Sequence, residues 1–336
     1  MDDAALPSIT RADALFNDAS DFADLVIRTA DNVDFFVHKV LLSLKSPSSF
    51  FRHVLESSHH TEEKDGLPVL EVKEDSRMFR TVLLLCYPYD VPEIKTIEEC
   101  FAVGVVLDKY CLDNGFERFI QAMLASPLMK QNALRIFGFA AAHGWKDLGE
   151  AAARNTLHMA LDQEVEFDGL DSITAMQYLR LRDYRKRCGK AAQFESDPTL
   201  GEKMTWIAGK TSELLFLRSD LEEQTCRWCG KSLSCWMTTG DRIFRTHLWL
   251  ADYVNTVKAE VLRQPESETA LDENIIAQAV VKSISQCGHE EWTKIAASQI
   301  HQYATLLADE IERLIAQVSD EAAAAWFRLN DLPRCR

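Results

Sequence analysis

The chain's nine cysteines and nine histidines are its first candidates for chemistry, and one cysteine pair has a spacing that matters. In Cys226-Arg227-Trp228-Cys229 a two-residue gap lets both thiolates reach a single metal ion. Zinc takes four ligands at tetrahedral angles. Cys235, His247, Cys287 and His289 are candidates to complete such a set, with Cys287 and His289 as the preferred pair. Reduced structural cysteines are the competing reading and the one ranked first. Cys287 shares a helical face with Ile276, Val280 and Ile284, and His247 lies on an apolar stripe, so both suit a core. The cysteine count is odd, the cysteines are spread through apolar or helical stretches, and there is no Asn-x-Ser/Thr sequon. This pattern points to thiols or metal ligands instead of disulfides.

Other chemistry fails on spacing. Gly209-Lys210-Thr211 and Gly230-Lys231-Ser232 resemble the tail of a phosphate loop, but Met204 and Thr225 stand where the first glycine must curl the backbone around phosphate. His289-Glu290-Glu291 lacks a second histidine one turn on, and no Gly-x-Ser-x-Gly elbow or dinucleotide fingerprint occurs. His59 and His60, in the hydrophilic stretch Glu56 to Gly66, read as solvated loop residues. An enzyme hidden in the later helices is kept as the alternative of a different class.

The elements that would position any site begin at Asp21. Apolar runs Leu25–Thr29 and Phe35–His38 flank Ala30-Asp31-Asn32-Val33-Asp34, which suits a β-hairpin. Helical spacing follows: Val40, Leu41 and Leu44 share a face, Ser46-Pro47 forms a cap with proline at the first helical position, and Phe50, Phe51, Val54 and Leu55 form the next apolar face. Further helices are expected from Ile97 to Tyr110 and from Phe116 to Leu124.

From Pro127 onward only helices are expected. Leu134 to Ala140 and Leu148 to Met159 look like an antiparallel pair broken at Gly144, and Ile173 to Tyr184 leads into a basic run from Arg180 to Lys190, read as an exposed face. Ile243, His247, Leu250, Val254, Val257 and Val261 form one stripe, and Ile300, Ala304, Leu307, Ile311, Leu314 and Val318 another. Each fits a buried face in a bundle. The expected divisions are a leader at 1–20, an α+β domain at 21–126, a helical extension at 127–192, a linker at 193–201 and a C-terminal helical domain at 202–336.

Composition bounds the function. A chain of 336 residues has room for two or three units. Fifty-two acidic against 37 basic residues give a net charge of −15, which argues against broad binding of nucleic acid or anionic membrane. No run of apolar residues is long enough to span a bilayer, and Met1-Asp2-Asp3 has the wrong charge for a secretory leader. An intracellular place, nucleus or cytoplasm, is expected.

Several residue patterns agree with one family. Asp24-Leu25-Val26 is an Asp-hydrophobic-hydrophobic strand, His38-Lys39 precedes the apolar Val40-Leu41-Leu42, and Ser48-Ser49-Phe50-Phe51 approximates Ser-x-x-Phe-Phe. Leu67–Val72 is similar to that family's third strand, and Phe79–Tyr87 to the helix before its Tyr-Thr turn. From Asp21 to Ser126 the chain resembles a BTB/POZ domain, and Tyr87-Pro88, in place of the usual Tyr-Thr, is similar to a fungal, basidiomycete-type branch. The resemblance implies an α+β domain followed by an all-α region and a non-enzymatic protein-interaction module. It implies homodimerisation near Asp24, His38 and Lys39, with Asp24 and Lys39 as a charged pair. Service as a substrate adaptor for a cullin ubiquitin ligase is the alternative, and Phe79-Arg80-Thr81 lacks the carboxylate of the hydrophobic-x-Glu pattern that such adaptors present. Fungal relatives also tend to carry two cysteine pairs in the helical tail, and here Cys287 begins the second pair while Glu290 replaces its partner.

Overall fold

The computed structural model describes residues 8–43, 50, 62–160, 170–193, 196–197, 201–210, 212–217, 225–239 and 242–326. Ser46-Pro47, Ser48-Ser49, Phe51, Val54, Leu55, His59 and His60 lie outside them. The chain divides into two units, residues 1–152 and 153–329 among the continuous part.

In the first unit, β1 (Thr10–Arg11), β2 (Leu25–Arg28), β3 (Val33–Val37), β4 (Glu63–Lys64) and β5 (Leu67–Glu71) form one sheet in the order β1-β3-β2-β5-β4. The expected hairpin is present. β2 and β3 run antiparallel with Val26 opposite Phe36 and Arg28 opposite Asp34. Asn32 turns the chain at a φ of 60°, a conformation that asparagine tolerates better than most residues. On its other side β2 runs parallel to β5, with Val26 opposite Val69. Being central, β2 is covered on both faces, which explains why Leu25, Val26 and Ile27 form an unbroken buried run instead of an alternation.

Helices α1 (Lys39–Ser43), α2 (Ser76–Cys86), α3 (Ile97–Lys109), α4 (Asp113–Ala125), α5 (Pro127–Gln131) and α6 (Ala133–His143) follow, and α7 (Lys146–Asn155) runs across the division between the units. Local chemistry sets their ends. Asp75 accepts from the Met78 N–H at 2.8 Å and caps α2, while Ser126 and Pro127 start α5 and Gly144, at φ 71°, stops α6. Phe79, Val82, Leu83, Leu85 and Cys86 make α2 a core helix. Phe16 is also buried, edge-on against Tyr87 at 5.1 Å.

One polar group is wholly enclosed here. Asp34 has no exposed surface, and Arg28, directly opposite it, reaches its Oδ1 with Nε at 2.7 Å. Lys64 from β4 bonds Oδ2, and Glu62 takes the Arg28 Nη1 at 2.7 Å. Burial alone would raise the Asp34 carboxyl, but hydrogen bonds from Arg28 and Lys64 outweigh that and hold it below its ordinary 3.8.

The second unit is helical, as expected. It contains α8 (Ala175–Ala191), α9 (Leu248–Arg263), α10 (Glu273–Cys287) and the 37-residue α11 (Glu290–Trp326). Both stripes read from the sequence face inward: Leu250, Val254, Val257 and Val261 on α9, and Ile300, Ala304, Leu307 and Ile311 on α11, are buried. Phe216, Trp249, Trp292 and Tyr303 form an aromatic centre with ring centroids 5.1–6.1 Å apart for the contacts of Phe216. In the basic run, Arg185 is buried and its Nη2 donates to the Met159 carbonyl, so the run is not one exposed face.

Strands appear where none was expected. β6 (Ser196–Asp197), β7 (Gly201–Lys203), β8 (Cys235–Thr239) and β9 (Arg242–Thr246) make a four-stranded sheet in chain order. Ile243 and His247 are four residues apart and so read as a helical face, but Ile243 belongs to β9 and α9 starts only at Leu248. A five-residue run is too short for its period to separate strand from helix. Cysteine usage also needs a correction: Cys111 is in a disulfide, whereas Cys86, Cys100, Cys188, Cys226, Cys229, Cys235 and Cys287 are free. Spacing along the chain carries no information about which distant thiols meet.

Replacing Asp34 with Ala leaves the buried Arg28 with only the half-exposed Glu62 as counter-ion and Lys64 with no Asp34 to bond, an expected cost of about 3–5 kcal/mol. A double change, Arg28→Met with Asp34→Leu, is expected to recover most of that loss. Amide hydrogen exchange across β2 and β3 reads both variants, and equal losses in the single and double variants would contradict the account. Because the Asp34 carboxyl is held low, its contribution is full above pH 3.8 and is lost as pH falls through the lower folded value.

Candidate interaction face and thiol cluster

The residues expected at an interface meet where β2 begins and β3 ends. The Asp24 N–H donates to the Val37 carbonyl at 3.1 Å, and Asp24 Oδ1 accepts the backbone N–H of Lys39 at 2.7 Å. Asp24 therefore caps α1. The expected charged pair with the Lys39 ammonium is not among the ion pairs of the described residues; these two residues are joined through the backbone instead. A cap of this kind contributes about 1 kcal/mol and fixes the direction in which α1 leaves the sheet.

His38 is held from three sides. Its Nε2 lies 2.9 Å from the Asp21 carbonyl, which can only accept, so Nε2 carries the proton and Nδ1 accepts from the Tyr87 hydroxyl at 3.2 Å. The same hydroxyl oxygen accepts the His38 backbone N–H at 2.7 Å. Arg118 fixes Tyr87 in turn by donating to the Leu85 carbonyl at 3.0 Å, the Tyr89 carbonyl at 2.6 Å and the Tyr87 carbonyl. Tyr87 and Arg118 were not picked out as site residues; Tyr87 is 49 positions from His38, and nothing in the local pattern joins them.

This scaffold carries exposed apolar groups. His38, Phe36, Ala23, Asp21 and Leu15 line a cavity of about 250 Å³. Beside it in the chain stand Phe22, 90% exposed with a φ of 56°, and Val40, 61% exposed. Phe79, by contrast, is fully buried against Phe35 at 6.0 Å, and Arg80 turns back to the Ala14 carbonyl at 3.2 Å.

Residues 13–124 match the family model of the BTB/POZ domain. The N-terminal part of this chain is a BTB/POZ domain. Such a domain is a protein–protein interaction module, and the mixed sheet with its helices is the α+β fold expected of it. No curated protein matches the chain. Among the described residues, no helix is long and apolar enough to cross a membrane.

Outside the BTB/POZ domain, the structure brings together three of the four expected metal ligands. The sulfur atoms of Cys226, Cys229 and Cys287 all lie within 4.8 Å of one another. Cys226 and Cys229 sit on a tight loop closed by hydrogen bonds from the Cys226 N–H to the Lys231 carbonyl and from the Gly230 N–H to the Cys226 carbonyl, both 2.8 Å. Lys231 Nζ donates to the Gln286 carbonyl at 2.8 Å, placing a cation at the C-terminal end of α10. Trp228 packs on Trp292 at 4.7 Å. Burial works to raise the Cys229 thiol, but the Lys231 N–H and the Cys226 and Cys287 side chains bring it below its ordinary 9.0; Cys287 is pushed up to about 12 by burial.

The fourth expected ligand, His289, is not within that group. Its Nδ1 accepts the Glu291 N–H at 3.3 Å. Of the other candidates, Cys235 pairs with Thr246 in the β8–β9 ladder. His247 is buried before α9, and burial lowers its ring to about 4.

Tyr87→Phe in the BTB/POZ domain removes the acceptor of the His38 N–H and the donor to its Nδ1, an expected loss of about 1–3 kcal/mol. Amide exchange at residues 38–40 should quicken while the circular dichroism spectrum is unchanged. Unchanged protection there would contradict the role given to the hydroxyl.

Proposed function

We propose that this chain is a non-enzymatic interaction protein whose BTB/POZ domain pairs with a second copy of itself. The observation that carries the reading is the exposed apolar group of Phe22, Val40 and Leu15 around the rigidly held Asp24, His38 and Lys39. A phenylalanine in left-handed backbone and almost fully in water is costly in a free monomer. A two-fold axis through that face would bury the patch against its own copy.

The cullin-adaptor alternative ranks lower. Its hydrophobic anchor, Phe79, is inside the core, and Arg80 is engaged with the Ala14 carbonyl. The enzyme alternative has one feature to draw on, a cavity of about 570 Å³ beside α9 and α10 lined by Glu260, Glu266, Glu268 and Asp272, but Glu260 is paired with Arg263 in solvent, and this ranks it below the interaction reading. Broad nucleic-acid binding is disfavoured by the net charge of −15 and by the burial of Arg185 within the one basic run.

Light scattering of the full chain at micromolar concentration tests the proposal. The parent is expected at the mass of a dimer, and Phe22→Glu combined with Val40→Glu at that of a monomer with an unchanged circular dichroism spectrum. A monomeric parent would overturn the reading, and so would a double variant that stays dimeric.

A further inference from the structure

We infer that Cys226, Cys229, Cys287 and His289 hold one zinc ion that pins the 225–232 loop to the junction of α10 and α11. This does not depend on dimerisation of the BTB/POZ domain. Sulfurs bound tetrahedrally to zinc at about 2.3 Å stand about 3.8 Å apart. Cys226 Sγ and Cys287 Sγ, 61 positions apart in the chain, are 3.7 Å apart, and Cys229 Sγ completes a triangle within 4.8 Å. At that separation no S–S bond joins them.

The backbone around the sulfurs is built the same way twice. Cys229-Gly230-Lys231 and Cys287-Gly288-His289 are both Cys-Gly-x turns, and Gly230 and Gly288 both have a φ of 66°. In each turn the glycine N–H donates to the carbonyl four residues back, Gly230 to Cys226 at 2.8 Å and Gly288 to Ile284 at 2.7 Å. Thiols packed as small apolar groups need no such repeated backbone. Metal ligands do, because a fixed turn orients the sulfur toward the ion. Two matching turns from loops far apart in sequence, converging on one point, are therefore better explained by a shared ion than by core packing.

His289, two residues after Cys287 and outside the sulfur group, is the fourth ligand of the proposal, and its ring turns from Glu291 toward the ion on binding. Because its Nδ1 accepts a hydrogen bond, it holds a lone pair and no proton, and the contact it makes, 3.3 Å to the Glu291 N–H, is long. Zinc takes that lone pair in exchange for this weak bond. As the ion binds, each thiol gives its proton to solvent, so three thiolates and one neutral imidazole surround the metal. Lys231, already directed to the Gln286 carbonyl, sits beside the resulting negative charge.

The test uses the full chain, loaded with zinc and freed of excess, with elemental analysis and replacement by cobalt. The expected result is about one zinc per chain and, for the cobalt form, thiolate charge-transfer bands with the absorption of a tetrahedral ion. Cys229→Ser and Cys287→Ser should each lose the metal, while Cys235→Ser, outside the cluster, keeps it. An outer-shell partner is worth about 10- to 100-fold in affinity, so His289→Ala, which removes a direct ligand, should weaken binding by at least as much. Parent protein with below about a tenth of an equivalent of zinc after loading overturns the site, whatever the folding of the variants. Full retention of zinc in Cys287→Ser overturns the long-range ligand, and undiminished affinity in His289→Ala overturns the fourth one.

Discussion

Asp34 has none of its surface in water, and an ionised carboxylate in that position is tolerable only with cations placed around it. Arg28 comes from the neighbouring strand and Lys64 from β4, with β2 and β5 lying between. That requirement makes the β2–β3 register strict. A slip of one residue would set Phe35 opposite Arg28 and send the Asp34 carboxylate to the other face of the sheet. The correct register also pairs Leu25 with Val37. It thereby sets Asp24, just before β2, beside Lys39, just after β3. The capped start of α1 and the position of His38 thus follow from a buried charge at the far end of the same hairpin.

Much of this was legible in the sequence because it is local. Leu25–Arg28 and Val33–Val37 announce a hairpin, Asp24 and His38-Lys39 mark its ends, and the spacing on α2, α9 and α11 identifies their buried faces. The parts that escaped are those decided by distant partners. The expected Asp24–Lys39 pair is joined through a backbone N–H because the Asp24 carboxylate reaches the open first N–H of α1, where an oxygen acceptor is needed more than a counter-ion. The Tyr87 hydroxyl reaches His38 across 49 positions, and the Arg118 guanidinium holds the Tyr87 carbonyl across 31. Phe79 could be placed on a helix from its neighbours, but the side of the helix it faces is set by Phe35 in another element.

The second unit divides in the same way. Cys226 and Cys229 stand out by their two-residue gap, whereas their meeting with Cys287 depends on Lys231 reaching the last turn of α10 and on Trp228 lying over Trp292. Trp292 is itself locked by its neighbours Trp249 and Phe216 and by a 3.3 Å hydrogen bond from its Nε1 to Ser283. The loop thus rests on a stiff aromatic platform. The small sheet was missed because the alternation in Cys235–Thr239 and Arg242–Thr246 is brief and merges with the helical stripe that follows it.

The sheet of the BTB/POZ domain ends on both sides in strands of two residues, β1 and β4. An outer strand with a long row of open N–H and C=O groups would invite any extended peptide to add itself to the ladder. Here such a guest could pair with two residues at most, and on the β4 side it would lie against Lys64, already drawn inward to Asp34. Strand addition is thereby discouraged at either border. Among the described residues this favours recognition through side-chain surfaces, where single substitutions can retune the choice of partner without disturbing the sheet beneath.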